Sequence, residues 1–100
     1  MPAPCVMIIG ACSITLQLIG VHSLKEKRSI IKSLLARMRN KFNIAAAEVG
    51  SHDNHTRAVL GVVCVSSSGE YAHGQLDAVI RWIETERPDV PIIDYEIELL

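Results

Sequence analysis

Between Leu24 and Lys41 the chain carries seven cations, Lys25, Lys27, Arg28, Lys32, Arg37, Arg39 and Lys41, and a single acid, Glu26. Side chains of this type at this density recognise phosphate, through charge-assisted hydrogen bonds that Lys makes as a point charge and Arg as a fork. The segment bears a net charge of +6, while three cations and ten acids leave −7 on the rest of the chain. Lys25, Arg28, Lys32 and Arg39 fall on one side of a helical wheel, flanking its apolar stripe. A solvated amphipathic helix is the ordinary reading of such cations, whose stems snorkel along apolar surface. That kind of helix mixes signs to gain i,i+4 pairs, and this one has almost no acids to pair with. Lys25, Lys27 and Arg28 also stand in the first two turns, where the helix dipole is positive and each cation costs a few tenths of a kcal/mol. Free amides at a helix start with cations beside them make an anion site. Ser23-Leu24-Lys25-Glu26 fits a capping box, which would occupy some of those amides.

A second group of residues is expected near the same place. His52, His55 and Arg57 follow a turn-like Ser51-His52-Asp53-Asn54-His55 and are predicted to come near His22 and Ser23. His-x-x-His on a loop beside Asp53 is a weak metal pattern, and surface histidines at the rim of an anion-binding end are the better reading. No metal or other cofactor is expected. His73 has no suggestive neighbours.

The elements that must position these residues follow from periodicity. From Ile8 to Leu18 the even positions are Ile8, Gly10, Cys12, Ile14, Leu16 and Leu18, a strand with one buried face that Gly20 ends. After Ser23, Leu24, Ile31, Leu34, Leu35 and Met38 form the core stripe of a helix that Asn40–Asn43 closes. Ile44–Val49 reads as a short strand, weak in propensity because of its alanines. Ala58–Val65 is uncharged and belongs in the middle of a sheet. A second capping box at Ser67 starts a helix that buries Ala72, Leu76, Val79, Ile80 and Ile83 and stops at Pro88. In Ile92–Leu99 the alternation turns Ile93, Tyr95, Ile97 and Leu99 inward and Asp94, Glu96 and Glu98 outward.

Strand, helix, strand, strand, helix, strand is the α+β, ferredoxin-like βαββαβ order: a four-stranded antiparallel sheet with two helices on one face. The first and third strands, long and nearly uncharged, take the centre. Glu48 on the second strand, and three acids with Pro91 on the fourth, suit edges. The loop Ile19–Ser23 and the hairpin Ser51–Thr56 then share one end of the sheet.

One hundred residues make a single domain, 1–100, large enough to bury roughly two-thirds of its unfolded surface. With 49% apolar and 21% charged residues it is an ordinary globular chain and not a disordered one. A total charge of −1 excludes a uniformly basic nucleic-acid module. No apolar run reaches the roughly 18 residues of a membrane span, and Met1–Cys5 does not read as a signal peptide. Cys5, Cys12 and Cys64 lie in or beside apolar runs without paired spacing, which suggests small buried side chains in a reducing compartment. A cytoplasmic protein is expected.

An RNA-recognition motif shares this topology but stacks bases on aromatics of the open sheet face. Here that face shows Asp94, Glu96 and Glu98, so nucleic acid is not expected there. It also offers Met7, Ile9 and Ala11, a possible homodimer surface. Neither a nucleophile in a recognisable setting nor a pair of catalytic carboxylates is present, and no enzyme is predicted.

His22-Ser23-Leu24-Lys25-Glu26-Lys27-Arg28-Ser29 resembles the signature of the bacterial YlxP-like family, domain of unknown function 503. The likeness continues through Arg39-Asn40-Lys41-Phe42-Asn43, Ala47-Glu48-Val49 and Asp53-Asn54-His55-Thr56-Arg57-Ala58. It departs at His55, where the family's hairpin usually has an aromatic, and in the extension Met1–Pro4. The resemblance implies the ferredoxin-like fold and marks Ser23, Lys25, Lys27, Arg28 and Arg57. The family's genes often neighbour those for transcription termination, translation initiation and ribosome maturation factors.

The combined expectation is a non-enzymatic accessory protein that binds structured RNA or a ribosomal particle. Lys25, Lys27, Arg28, Lys32 and Arg39 would contact phosphates, Ser23 would join them in binding the anion at the helix start, and His22 and Arg57 would form the rim. The alternatives are a small regulatory homo-oligomer for an anionic metabolite and a protein-interaction module.

Overall fold

Period-two and period-3.6 patterning decide the layout. A computed structural model describes residues 5–100; the Met1–Pro4 extension lies outside the described residues. Its elements are β1 (Ile8–Gln17), α1 (Leu24–Lys41), β2 (Ala45–Gly50), β3 (Arg57–Ser66), α2 (Gly69–Glu86) and β4 (Ile92–Leu99). The strands form one antiparallel sheet in the order β2-β3-β1-β4, so the two strands without acids are central and the acid-bearing ones are edges.

Cys12, Ile14, Leu16 and Leu18 of β1 and its exit, with Ala58, Leu60, Val62 and Cys64 of β3, form the inner face of the sheet. Ile31, Leu34, Leu35 and Met38 of α1 and Ala72, Leu76, Val79, Ile80 and Ile83 of α2 complete the same core, as their helical spacing requires. Leu24, expected in the stripe, is only half-buried. Gly20 turns the chain out of β1 at φ +73°, in the left-handed region. No helix among the described residues is long and apolar enough to cross a membrane.

Three local expectations are corrected. Ser68, not Ser67, caps α2: its hydroxyl accepts from the Tyr71 N–H at 3.2 Å, and its own N–H donates to Ser66 Oγ. Cys5 is exposed, and only Cys12 and Cys64 are buried. In β4, Tyr95, Ile97 and Leu99 do take the inner face, paired with Ile14, Cys12 and Gly10, though on this edge Tyr95 and Leu99 stay 49% and 45% exposed, but Ile93 does not and is 42% exposed. The register explains Ile93: Thr15 pairs with Asp94 but Leu16 with Ile92, a bulge that leaves Ile93 without a partner and gives its inward place to Ile92.

Candidate functional site

The first turn of α1 is self-contained. Ser23 Oγ accepts from the Glu26 N–H at 3.1 Å, and Glu26 Oε2 accepts from the His22 N–H at 2.7 Å. The capping box therefore forms, and the anion at this helix start is the protein's own carboxylate. Ser23 therefore acts as the helix cap, its Oγ accepting from the Glu26 N–H while its hydroxyl proton is not spent on that bond.

Lys27 does require a correction. It is 1% exposed. Its Nζ donates to Ser51 O at 2.6 Å and Asn54 O at 2.7 Å, and stands 2.9 Å from Glu48 Oε2. That carboxylate oxygen is sealed from solvent and accepts no hydrogen bond of acceptable angle, so the ammonium charge is what compensates it. No phosphate can reach an ammonium enclosed by these three acceptors. Lys27 instead ties α1 to the β2–β3 hairpin, whose Ser51 sits at φ +59° and accepts a second bond from the Asn54 N–H at 3.1 Å. Asn54 Oδ1 in turn accepts from Thr56 N and Oγ1. With Leu18 N–H bonded to Thr56 O at 2.8 Å, the loop after β1, the hairpin and the start of α1 do meet at one end.

Sequence reasoning missed this pair, although the signal was present. Lys27, Ile31 and Leu34 are spaced i, i+4, i+7, which puts Lys27 inside the core stripe. Glu48 alternates with Ala46 and pairs with Leu60, so it points under the helices. An inward charge on an edge strand also discourages edge-to-edge pairing.

The remaining cations divide by side. Arg37 turns toward α2: it pairs with Glu86 at 3.1 Å and lies 5.6 Å from the Trp82 ring centroid. Arg28, Lys32 and Arg39 line a groove of about 240 Å³ between α1 and β2, with Ile31, Leu35 and Glu48 as its floor. Arg39 Nη2 donates to Ala46 O at 2.6 Å, and the His52 ring lies 3.3 Å from Glu48 O, so two carbonyls of edge strand β2 are covered by side chains. Lys25 is exposed on the same side of α1. None of Lys25, Arg28, Lys32 and Arg39 forms an ion pair with an acid among the described residues.

Arg57 does not join this row. It opens β3 opposite Gln17, one residue from buried Ala58, and therefore projects from the other face of the sheet at the same end. His22 is exposed beside the α1 cap. Among the described residues no three His, Cys, Asp or Glu side chains converge as metal ligands.

Comparison with known proteins agrees with this geometry in architecture and is silent on activity. A 63-residue stretch is 40% identical to the uncharacterized protein YlxP of Bacillus subtilis (strain 168), covering 63% of this chain and 68% of that one. The de novo designed protein Foldit4 shares the fold over 94% of this chain and 96% of its own, with a TM-score of 0.50 at 12% identity. Residues 9–97 match the family model described as protein of unknown function DUF503, and the chain belongs to that family.

Proposed function

We propose that this protein is a non-enzymatic, cytoplasmic accessory protein that binds the phosphate backbone of structured RNA, free or within a ribosomal particle. The contact surface is the β2-facing side of α1. The observation that carries this reading is the groove of Arg28, Lys32 and Arg39, whose one acid, Glu48, is already compensated by Lys27. Along the helix, Arg28 and Lys32 are about 6 Å apart and Arg39 about 10 Å further, a row fit for successive phosphates. Lys25 extends it by one turn. Lys27 and Ser23 take no direct part; they hold the helix start and hairpin in place.

Four phosphate contacts give a log–log salt slope near −3.6, about a hundredfold loss of affinity between 50 and 200 mM salt. Co-sedimentation with ribosomal subunits across a salt series, repeated with Arg28→Glu/Lys32→Glu, tests the reading. Loss of binding with retained fold supports it. Equal binding by the variant, or saturation by a single small anion with no RNA effect, overturns it.

The open sheet face has no comparable role toward RNA, because Asp94, Glu96 and Glu98 stand on it. A face-to-face homodimer is not favoured either. A two-fold axis along the strands lays β4 over the partner's Ala45, Ala47 and Val49, and one across them lays acid over acid.

A further inference from the structure

The open face is organised in cross-strand rows. Val63 pairs with Ala11 and Ala11 with Glu98; Gly61 pairs with Ser13 and Ser13 with Glu96; Val59 pairs with Thr15 and Thr15 with Asp94. Each row begins with Val or Gly on β3, crosses Ala, Ser or Thr on β1, and ends in an acid on β4. The small residues floor a trough of about 240 Å³ that Glu96 and Glu98 border on one side and Val63 on the other. Val49, Val63 and Val65 are 57%, 39% and 60% exposed and continue the apolar side. Gly61 is part of the shape: a Cβ there would lie 3.0 Å from Val49 Cγ1, so the valine occupies the space above it.

We infer that this face docks a basic amphipathic helix of a partner protein, lying along the strands. The helix sets its apolar side into the trough and against the valines, and its cations on Asp94, Glu96 and Glu98. Charge and spacing both favour this occupant. Carboxylates at i, i+2 and i+4 of a strand are about 6.8 Å apart, and cations at i, i+4 and i+8 of a helix about 6 Å apart. Edge protection explains charges on β4, but not their uniform sign or the apolar wall facing them across the trough. A second copy of this chain offers no match: its four strands carry one cation, Arg57, and its basic helix α1 already buries its apolar stripe in its own core, leaving no apolar side for the trough. The inference is independent of the RNA reading, which uses the opposite face.

The probe is a synthetic 18-residue helical peptide with Leu on one side and Arg at i, i+4 and i+8 along its flank. Its Glu-for-Arg counterpart and a scrambled isomer are controls. Backbone amide shifts are followed in the full-length protein, in the Glu96→Gln/Glu98→Gln variant and in Glu84→Gln, an exposed control on α2. The expected result is saturable binding of the Arg peptide alone, with shifts at Ala11, Ser13, Gly61, Val63 and Glu96. Affinity falls at least tenfold in Glu96→Gln/Glu98→Gln and is unchanged in Glu84→Gln, while RNA binding stays at the wild-type level. Shifts confined to α1 and α2, equal affinity of the scrambled peptide, or equal affinity of Glu96→Gln/Glu98→Gln would overturn the inference. Sedimentation showing the face closed by a second copy in the free protein would do the same.

Discussion

Replacing Lys27 by Met keeps the aliphatic stem and removes the ammonium. Three interactions vanish together: hydrogen bonds of 2.6 and 2.7 Å to Ser51 O and Asn54 O, and the 2.9 Å approach to Glu48. Removing one partner of a buried ion pair typically costs about 3–5 kcal/mol, because the other charge remains uncompensated. The Glu48 side chain is 17% exposed and can recruit some water, which places the expected loss near the low end, about 3 kcal/mol. Methionine fills the vacated stem volume, so little of this is a cavity cost. For a domain of this size about 3 kcal/mol lowers Tm by roughly 12–24 °C. Urea unfolding at pH 7 measures the loss. Lys27→Met/Glu48→Leu separates its parts: removing the stranded carboxylate restores about 1–2 kcal/mol, while the two carbonyls remain without their donor. Amide exchange at Asn54 and Thr56 accelerates in the single variant, since the hairpin loses its tie to α1. If Lys27→Met unfolds within about 0.5 kcal/mol of wild type, well below a buried pair, Lys27 is not a structural charge and the division of α1 into buried and exposed cations is wrong.

Further outcomes follow from the same geometry. Ser23→Ala removes the acceptor for the Glu26 N–H and costs about 1 kcal/mol in urea unfolding, with RNA affinity unchanged beyond that effect. Gly10→Ala sets a methyl 3.0 Å from Leu76 Cδ1 and 3.2 Å from Cys64 Sγ, destabilising by about 1–2 kcal/mol. Gly74→Ala meets nothing within 4 Å inside α2 and stabilises by about 0.5–1 kcal/mol, so thermal melts of the two variants move in opposite directions. In native protein at pH 8 a thiol reagent modifies Cys5 alone. Burial pushes the Cys12 thiol up to about 11 and raises that of Cys64, so both react only once urea unfolds the chain.

Most of the framework was legible because a single physical constraint, burial of one face, writes itself into residue spacing. The alternation in β1, the Ile31–Met38 stripe and the Ala72–Ile83 stripe all appear in the structure as expected. Charge placed the strands correctly, since an acid is tolerated at an edge and not in the centre. The Ser23–Glu26 cap was equally local, depending on residues three apart. Where an interaction joins distant segments, residue type alone was ambiguous. The Ser67 and Ser68 hydroxyls compete for the same helix start, and only backbone direction selects Ser68. The bulge beside Ile93 is invisible because alternation continues through β4; only pairing with β1 shows the slip.

The sequence by itself determined the element order, the inner faces of the central strands and both helices, and the concentration of positive charge on α1. All of these are set by covalent neighbours within one or two turns. The roles of the individual cations were decided by tertiary structure. Lys25, Lys27 and Arg28 are nearly interchangeable as a string, yet β2 brings Glu48 and the hairpin carbonyls beneath Lys27 alone. That ammonium becomes part of the core, while Arg28 and Lys32 stay exposed along the groove between α1 and β2 with no acid paired to them. Arg57 is separated by the same logic, its alternation with Ala58 sending it through the opposite face. A lysine's type states its charge, but the dielectric around it and the acceptors within about 3 Å decide what the charge does, and both depend on how distant segments pack.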